Sequence, residues 1–322
     1  MQNFKKILCV IDPTTKVQHA LGRATWLAGK TGAAVELLLC YYNEYLSGDR
    51  FFDSRSLAKA RKEVLDGHLQ YLESLAKPLR DAGLTVTTSS TWDHPLHEGI
   101  VRHAAECKAD LVMKDTHYHS SASRVLLTNT DWQLIRTVAP PLWLVKPRDL
   151  AEPPVFIAAI DPMNEHDKPA ALDDEILILG KALAATCGGD LQAFHAYDPR
   201  IAIATASANA YLPVSLPLDA IEKQMREQHG KRFNEIISYH GIREDRAYLI
   251  SGRTHEELPA LAVEKNADVI VMGAVARNRW KRLFVGATAE RTLDHLPCDL
   301  LIVKPDWFHT PAEILENKDV AA

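Results

Sequence analysis

Short apolar runs alternate with amphipathic stretches from one end of the chain to the other. The first run, Ile7 to Ile11, reads as a strand. It is followed by a helix over Gln18 to Lys30, with Leu21, Ala24 and Ala28 toward one side. The run AVELLLCYY predicts a buried strand, and Arg55 to Asp81 a long helix. The first half is completed by strand TVTTSST, helix Leu96 to Glu106, strand ADLVMK, a helix near Thr130 to Arg136 and strand PLWLVKP. Gly32 and Gly83 stand where helices should stop. The second half repeats the alternation, with strands near Val155, Asp190, Arg246, Asp268 and Asp299. Strands apolar on both faces and separated by helices predict an α/β fold, a parallel sheet covered on both sides. Ligands in such sheets lie beyond the carboxyl ends of the strands, where strand order reverses. That rule directs attention to Asp12 and Asp161 and to the loops after the fourth strands.

The two halves are copies. KADLVMKDTH at Lys108 resembles NADVIVMGAV at Asn266, and the same spacing that brings Asp110 opposite Asp268 brings Lys146-Pro147 opposite Lys304-Pro305. The openings also match, ILCVIDP at Ile7 and FIAAIDP at Phe156. The seam is PRDLAEPP, Pro147 to Pro154, whose prolines and charges interrupt both flanking strands. The domains are therefore expected at 1–148 and 154–308, with a C-terminal tail at 309–322.

Composition adds limits. The 322 residues are 47% hydrophobic and 25% charged, ordinary for a globular chain of two domains. A net charge of -5 argues against bulk nucleic-acid binding. No apolar run approaches the roughly 20 residues of a membrane span, and the N-terminus lacks a signal-peptide pattern, so a cytoplasmic location is expected. The five cysteines form no Cys-x-x-Cys pair. They read as small buried hydrophobes in a reducing compartment.

These residues resemble the universal stress protein family, over nearly the whole chain and twice. TDWQLIRTVAPPLWLVKP and DHLPCDLLIVKPDWFHTPAEI are similar to its two-domain members. The resemblance implies two tandem Rossmann-like (adenine nucleotide alpha hydrolase-like) domains, each a five-stranded parallel sheet of order 3-2-1-4-5. It implies a stress-survival role through ligand-dependent binding to partners, and an intramolecular pseudo-dimer in place of the homodimer of single-domain relatives. Many members bind ATP through Gly-x2-Gly-x9-Gly and a following Ser or Thr, after the fourth strand. This chain matches at Gly273, departs at Ala276, matches at Gly286, has Ala287 where the hydroxyl residue belongs, and carries Thr288 one place late. Asp161 corresponds to the family's adenine-contacting aspartate and Ala196 to a residue whose backbone meets the adenine. ATP or AMP is thus expected in the C-terminal domain alone.

The physics of that loop agrees with a weakened phosphate site. Gly286 lets backbone approach an anion. The helix expected from Ala287 to His295 would aim its amides and dipole at it. Arg277, Arg279, Lys281 and Arg282 add positive charge. In the first copy Asp115, Tyr118 and Thr128-Asn129 occupy the corresponding positions. An aspartate and added bulk there oppose a phosphate. The plainer reading of the second loop is a tight turn and a solvated basic face.

Three other features carry alternatives. Arg200 to Ile221 is long, apolar and low in charge. It reads as packing surface, as a lid over an apolar or acyl ligand, or as an oligomer contact. His117 and His119, with His94 and His97 nearby, are the metal-ligand candidates, but no cysteine or glutamate completes a set, so no metal is expected. No nucleophile elbow, Walker lysine motif or metalloprotease motif occurs, and Lys114 lacks the glycine loop of a P-loop. Slow ATP hydrolysis is the only chemistry the sequence leaves open. Monomer and homodimer both remain compatible with it.

Overall fold

The computed structural model describes residues 4–47, 54–116, 118–119, 124–125, 128–163, 171–200, 218–274 and 295–316. The chain divides into two compact units, residues 1–149 with 306–322, and residues 150–305.

In the first unit the order is β1 (Lys6–Val10), α1 (His19–Thr31), β2 (Ala34–Tyr41), α2 (Ser54–Asp81), β3 (Val86–Trp92), α3 (Leu96–Glu106), β4 (Leu111–Asp115), the short β5 (Tyr118–His119) and β6 (Arg124–Val125), α4 (Asn129–Thr137) and β7 (Leu142–Val145). The parallel strands run β3-β2-β1-β4-β7, the predicted 3-2-1-4-5. The second unit has β8 (Val155–Ala159), α5 (Ala171–Cys187), β9 (Asp190–Tyr197), α6 (Leu218–Tyr239), β10 (Ala247–Ser251), α7 (Thr254–Glu264), β11 (Val269–Gly273) and β12 (Asp299–Val303). Its strands take the same order, β10-β9-β8-β11-β12.

The apolar runs explain the core. Ile7, Leu8 and Cys9 of β1 are all fully buried, so both faces of the strand are covered. Helix α1 buries Ala20, Ala24, Leu27 and Ala28, a stripe at helical spacing, while Leu21 is only half-buried. It ends at Gly32, which is left-handed at φ 74° and donates its N–H to the Ala28 carbonyl at 2.8 Å. Phe156, Phe194 and Phe233 fill the second unit.

Equivalent residues do equivalent work at the amino ends of the strands. Asp110 accepts from the backbone N–H groups of Lys5 and Lys6 at 2.7 and 3.1 Å. Asp268 accepts from those of Val155 and Ala151, each at 2.9 Å. Each aspartate ties the start of the first strand to the start of the fourth. Lys108 and Asn266, two residues earlier, both take the left-handed conformation at φ 54° and 50°.

Two features depart from the sequence reading. The loop after β4 contains a two-stranded antiparallel ladder, Tyr118 opposite Val125 and His119 opposite Arg124. The C-terminal residues, read as a plain tail, include α8 (Ala312–Glu316), which belongs to the first unit. Buried Arg102 of α3 holds it there. One guanidinium nitrogen donates to the Ile314 carbonyl at 2.7 Å, and the other to Asp93 at 2.5 Å.

Lys304, just after β12, is 6% exposed, and burial pulls its ammonium down to about 7 from 10.5. Its folded pKa lies below its unfolded value, so unfolding takes up a proton between those limits. Burying the ammonium therefore costs stability below about pH 7, and the cost fades as pH rises toward 10.5. Denaturant unfolding at neutral pH and at the alkaline end of this window should show the wild type gaining on Lys304→Met. An unchanged difference would refute the shift.

Candidate functional site

In an open parallel sheet the first strand and its two neighbours end at the crevice where strand order reverses. In the second unit these are β8, β9 and β11, with Ala159 paired to Phe194 on one side and to Met272 on the other. Two positions beyond these pairs stand Asp161 and Ala196, and Gly273 stands one position beyond. The topology thus gathers three of the sequence-predicted residues at one sheet edge. Ala276, Arg277, Gly286, Ala287 and Thr288 lie outside the described residues, as do Arg279, Lys281 and Arg282.

Asp161 is fixed through its backbone. Its N–H donates to Asp173 Oδ1 in the first turn of α5 at 3.0 Å. Its own Oδ1 is buried and makes no hydrogen bond to the described residues. A buried carboxylate oxygen favours a hydrogen-bond donor beside it. Ala196 lies half-buried on β9 beside Ile250. Gly273 has a packing reason of its own. A Cβ there would lie 2.6 Å from Leu172 Cδ2 and 2.9 Å from its Cγ, so the buried Leu172 side chain of α5 would have to shift to admit one.

Two histidines that the sequence reading passed over support this edge. His195 Nδ1 is 3.1 Å from the Ile160 carbonyl, and His195 Nε2 is 2.8 Å from His229 Nδ1. Both rings are buried, and His229 stacks on Tyr197 at 5.2 Å. With neutral rings one tautomer fits: His195 donates from Nδ1 to the carbonyl and accepts at Nε2 from His229. The bond holds the residue preceding Asp161 in place. The signal in the sequence was a histidine inside the apolar strand LQAFHAY. At the rim, burial pushes the Asp198 carboxyl up, but hydrogen bonds from Arg200 and the charge of Arg253 outweigh it and hold the group ionised.

The corresponding edge of the first unit is closed by its own side chains. Asp12 folds back on its loop, accepting from Thr14 N–H at 2.8 Å and Thr14 Oγ1 at 2.6 Å. Asp115 accepts from the Ala20 N–H in the first turn of α1 at 2.7 Å. Asp131 caps α4: it accepts from Thr128 N–H at 2.8 Å while Thr128 Oγ1 accepts from Asp131 N–H at 3.2 Å. Lys114 Nζ lies 2.9 Å from Asp131 Oδ1 and donates to the Asp115 carbonyl at 2.8 Å. Asp131 is fully buried and Lys114 is 6% exposed. A carboxylate on a helix N-terminus, balanced by an ammonium, is what a bound phosphate and a lysine would provide there. The repeat spacing puts Met272 at the place of Lys114, Gly273 at that of Asp115 and Ala289 at that of Asp131. The second copy therefore lacks all three charges.

Among the described residues, His94 and His97 join no cluster of three metal-ligating side chains. His94 is exposed and stacks on Tyr42 at 4.2 Å, and half-buried His97 is pushed down by burial. His117 lies outside the described residues, and the side chain of His119 does too. Among the described residues no helix is long and apolar enough to cross a membrane.

A model of the Universal stress protein family matches residues 3–146 and again residues 165–304. The chain is 29% identical to Universal stress protein E of Escherichia coli (strain K12) over 320 residues, covering 99% of this chain and 100% of that one. It is 27% identical to Universal stress protein E of Photorhabdus laumondii over 316 residues, covering 97% and 98%. A solved structure described as a putative universal stress protein from Pseudomonas aeruginosa UCBPP-PA14 superposes with a TM-score of 0.70 at 23% identity, covering 98% of this chain and 96% of that one. Two matches of the family model in one chain, on two copies of a 3-2-1-4-5 sheet, make this protein a tandem member of the universal stress protein family.

Proposed function

We propose that this tandem universal stress protein binds one adenine nucleotide, ATP or AMP, at the carboxyl edge of its second unit, and supports survival under stress through nucleotide-dependent contact with protein partners. The observation that carries the reading is the contrast between the two edges. The first unit satisfies its helix starts with Asp115 and Asp131 and balances them with Lys114. The second has Gly273, Ala289 and Met272 at those places and gathers Arg277, Arg279, Lys281 and Arg282 in the following loop. An internal anion has been removed and positive charge added, which favours an anion from outside.

Asp161 would take the adenine edge, the Ala196 backbone would flank it, and the loop from Gly273 to Gly286 would meet the phosphates. Arg277 would add charge and Thr288 would lie one residue past the usual hydroxyl position. Ala287 in place of that hydroxyl removes about one neutral hydrogen bond, about 0.5–1.5 kcal/mol, so affinity falls by a factor of about ten or less. Gly273 would serve the helix contact whether or not nucleotide is bound.

Calorimetric titration of the full chain with ATP at fixed salt should give about one site. Gly286→Glu should abolish it by setting a carboxylate against the phosphates, and Ala287→Ser should tighten it by up to about tenfold. Two equivalent sites, or unchanged binding in Gly286→Glu, would contradict the reading. Mass spectrometry of a denatured extract should show adenine nucleotide. An acylated lipid there instead would favour a carrier that uses the apolar Arg200 to Ile221 segment.

The buried pair in the first unit gives a second test. Asp131→Ala strips the α4 cap and leaves Lys114 buried without its carboxylate, which should cost about 3–5 kcal/mol in denaturant unfolding. ATP affinity should not change. A loss of ATP binding in a folded Asp131→Ala protein would move the nucleotide to the wrong unit.

A further inference from the structure

At the opposite, amino-terminal edge of the first unit, three side chains with metal-binding chemistry converge. Glu36 comes from β2, and His103 and Cys107 come from the last turn and the C-cap of α3. One donor atom from each lies within 4.8 Å of the other two. Sequence spacing hides the set, because Glu36 is remote in the chain and Cys107 had been read as an inert small hydrophobe. The fold creates it: α3 packs on β2, and a four-residue step on a helix puts His103 and Cys107 on one face.

The cluster already holds a cation. Glu36 Oε2 lies 2.6 Å from Lys6 Nζ, while its Oε1 lies 2.5 Å from His103 Nε2 and accepts from Ser89 Oγ at 2.8 Å. Glu36 is buried, whereas the Lys6 side chain is 30% exposed. The ammonium can therefore swing out to solvent, but the carboxylate cannot follow it. The C-terminal end of α3 adds its negative dipole end, which favours positive charge at this place. His103 and Cys107 are held by one backbone turn, since the Cys107 N–H donates to the His103 carbonyl at 2.9 Å.

We propose that Glu36, His103 and Cys107 form a binding site for a zinc-class divalent cation, which replaces the Lys6 ammonium. One carboxylate oxygen, one imidazole nitrogen and one sulfur suit Zn²⁺ or Co²⁺ and not the oxygen-seeking Mg²⁺ or Ca²⁺. Tetrahedral coordination at zinc bond lengths sets donors about 3.3–3.8 Å apart. Small rotations of the three side chains reach that from their present separations. On binding, the Cys107 S–H bond breaks, the thiolate keeps the electron pair and donates it to the metal, and the proton leaves to solvent. Water takes the fourth position on the side vacated by Lys6. The site is independent of the nucleotide reading, since it lies at the other end of the strands.

Cobalt tests this directly. Tag-free, reduced full-length protein titrated with Co²⁺ should take up one ion per chain. It should develop tetrahedral visible bands together with a thiolate-to-cobalt charge-transfer band in the near ultraviolet. Cys107→Ser should lose the charge-transfer band, and Lys6→Met should bind several-fold tighter because the competing ammonium is gone. Zn²⁺ should raise the Tm of the wild type and not that of Cys107→Ser. No cobalt spectrum in the wild type, or a charge-transfer band that survives Cys107→Ser and so comes from another thiol, would overturn the assignment. Weaker cobalt binding by folded Lys6→Met would do so too, since it would make Lys6 part of the site instead of its competitor.

Discussion

Helices that begin at the carboxyl edge of a parallel sheet leave unpaired backbone N–H groups and a positive dipole end there, and something negative must meet them. In the first unit the answer is internal. Asp115 takes the start of α1, and Asp131 takes the start of α4 with Lys114 to balance it. In the second unit the first-turn aspartate, Asp173, faces back to the Asp161 N–H, and the last residue of the fourth strand is glycine. The same electrostatic demand thus has two solutions in one chain. One is closed, and the other suits a ligand.

The two ends of each sheet divide the labour. At the amino ends, Asp110 and Asp268 do the same structural task in both copies, so duplication preserved them as scaffold. At the carboxyl ends the copies diverge, and the differences concern charge more than packing. Gly273 belongs to both accounts. Its missing side chain gives room to Leu172 of α5, and the same absence leaves no carboxylate facing the crevice. A glycine that matches a nucleotide motif can therefore stand on a packing constraint alone, which is why the charge contrast weighs more here than the glycine pattern.

Element limits were legible because they rest on local pattern: apolar runs for strands, stripes at helical spacing, and glycines at helix ends such as Gly32; strand order came from the family resemblance and not from any pattern in the chain. The repeat made the reading stronger, since each half checked the other. What could not be read were contacts made across the fold. Lys114 looked only like a P-loop lysine without its loop, because its partner Asp131 lies on another element. His195 and His229 meet only when α6 lies over β9. The ladder of Tyr118–His119 with Arg124–Val125 has too few residues to announce itself by alternation. The return of α8 to Arg102 depends on a backbone carbonyl, which has no sequence signature at all. Asp115 was legible as an obstacle to phosphate, but its bond to the Ala20 N–H was not.

The central claim is that one edge is closed by its own charges while the other receives the nucleotide. Photolabelling tests it most directly. The full chain would be irradiated with a photoreactive azido-ATP, digested and mapped by mass spectrometry. The account predicts label on second-unit peptides spanning 156–163 or 190–200, suppressed by excess ATP. Label on the first-unit peptides spanning 5–16 or 34–46, equally suppressed by ATP, would contradict it.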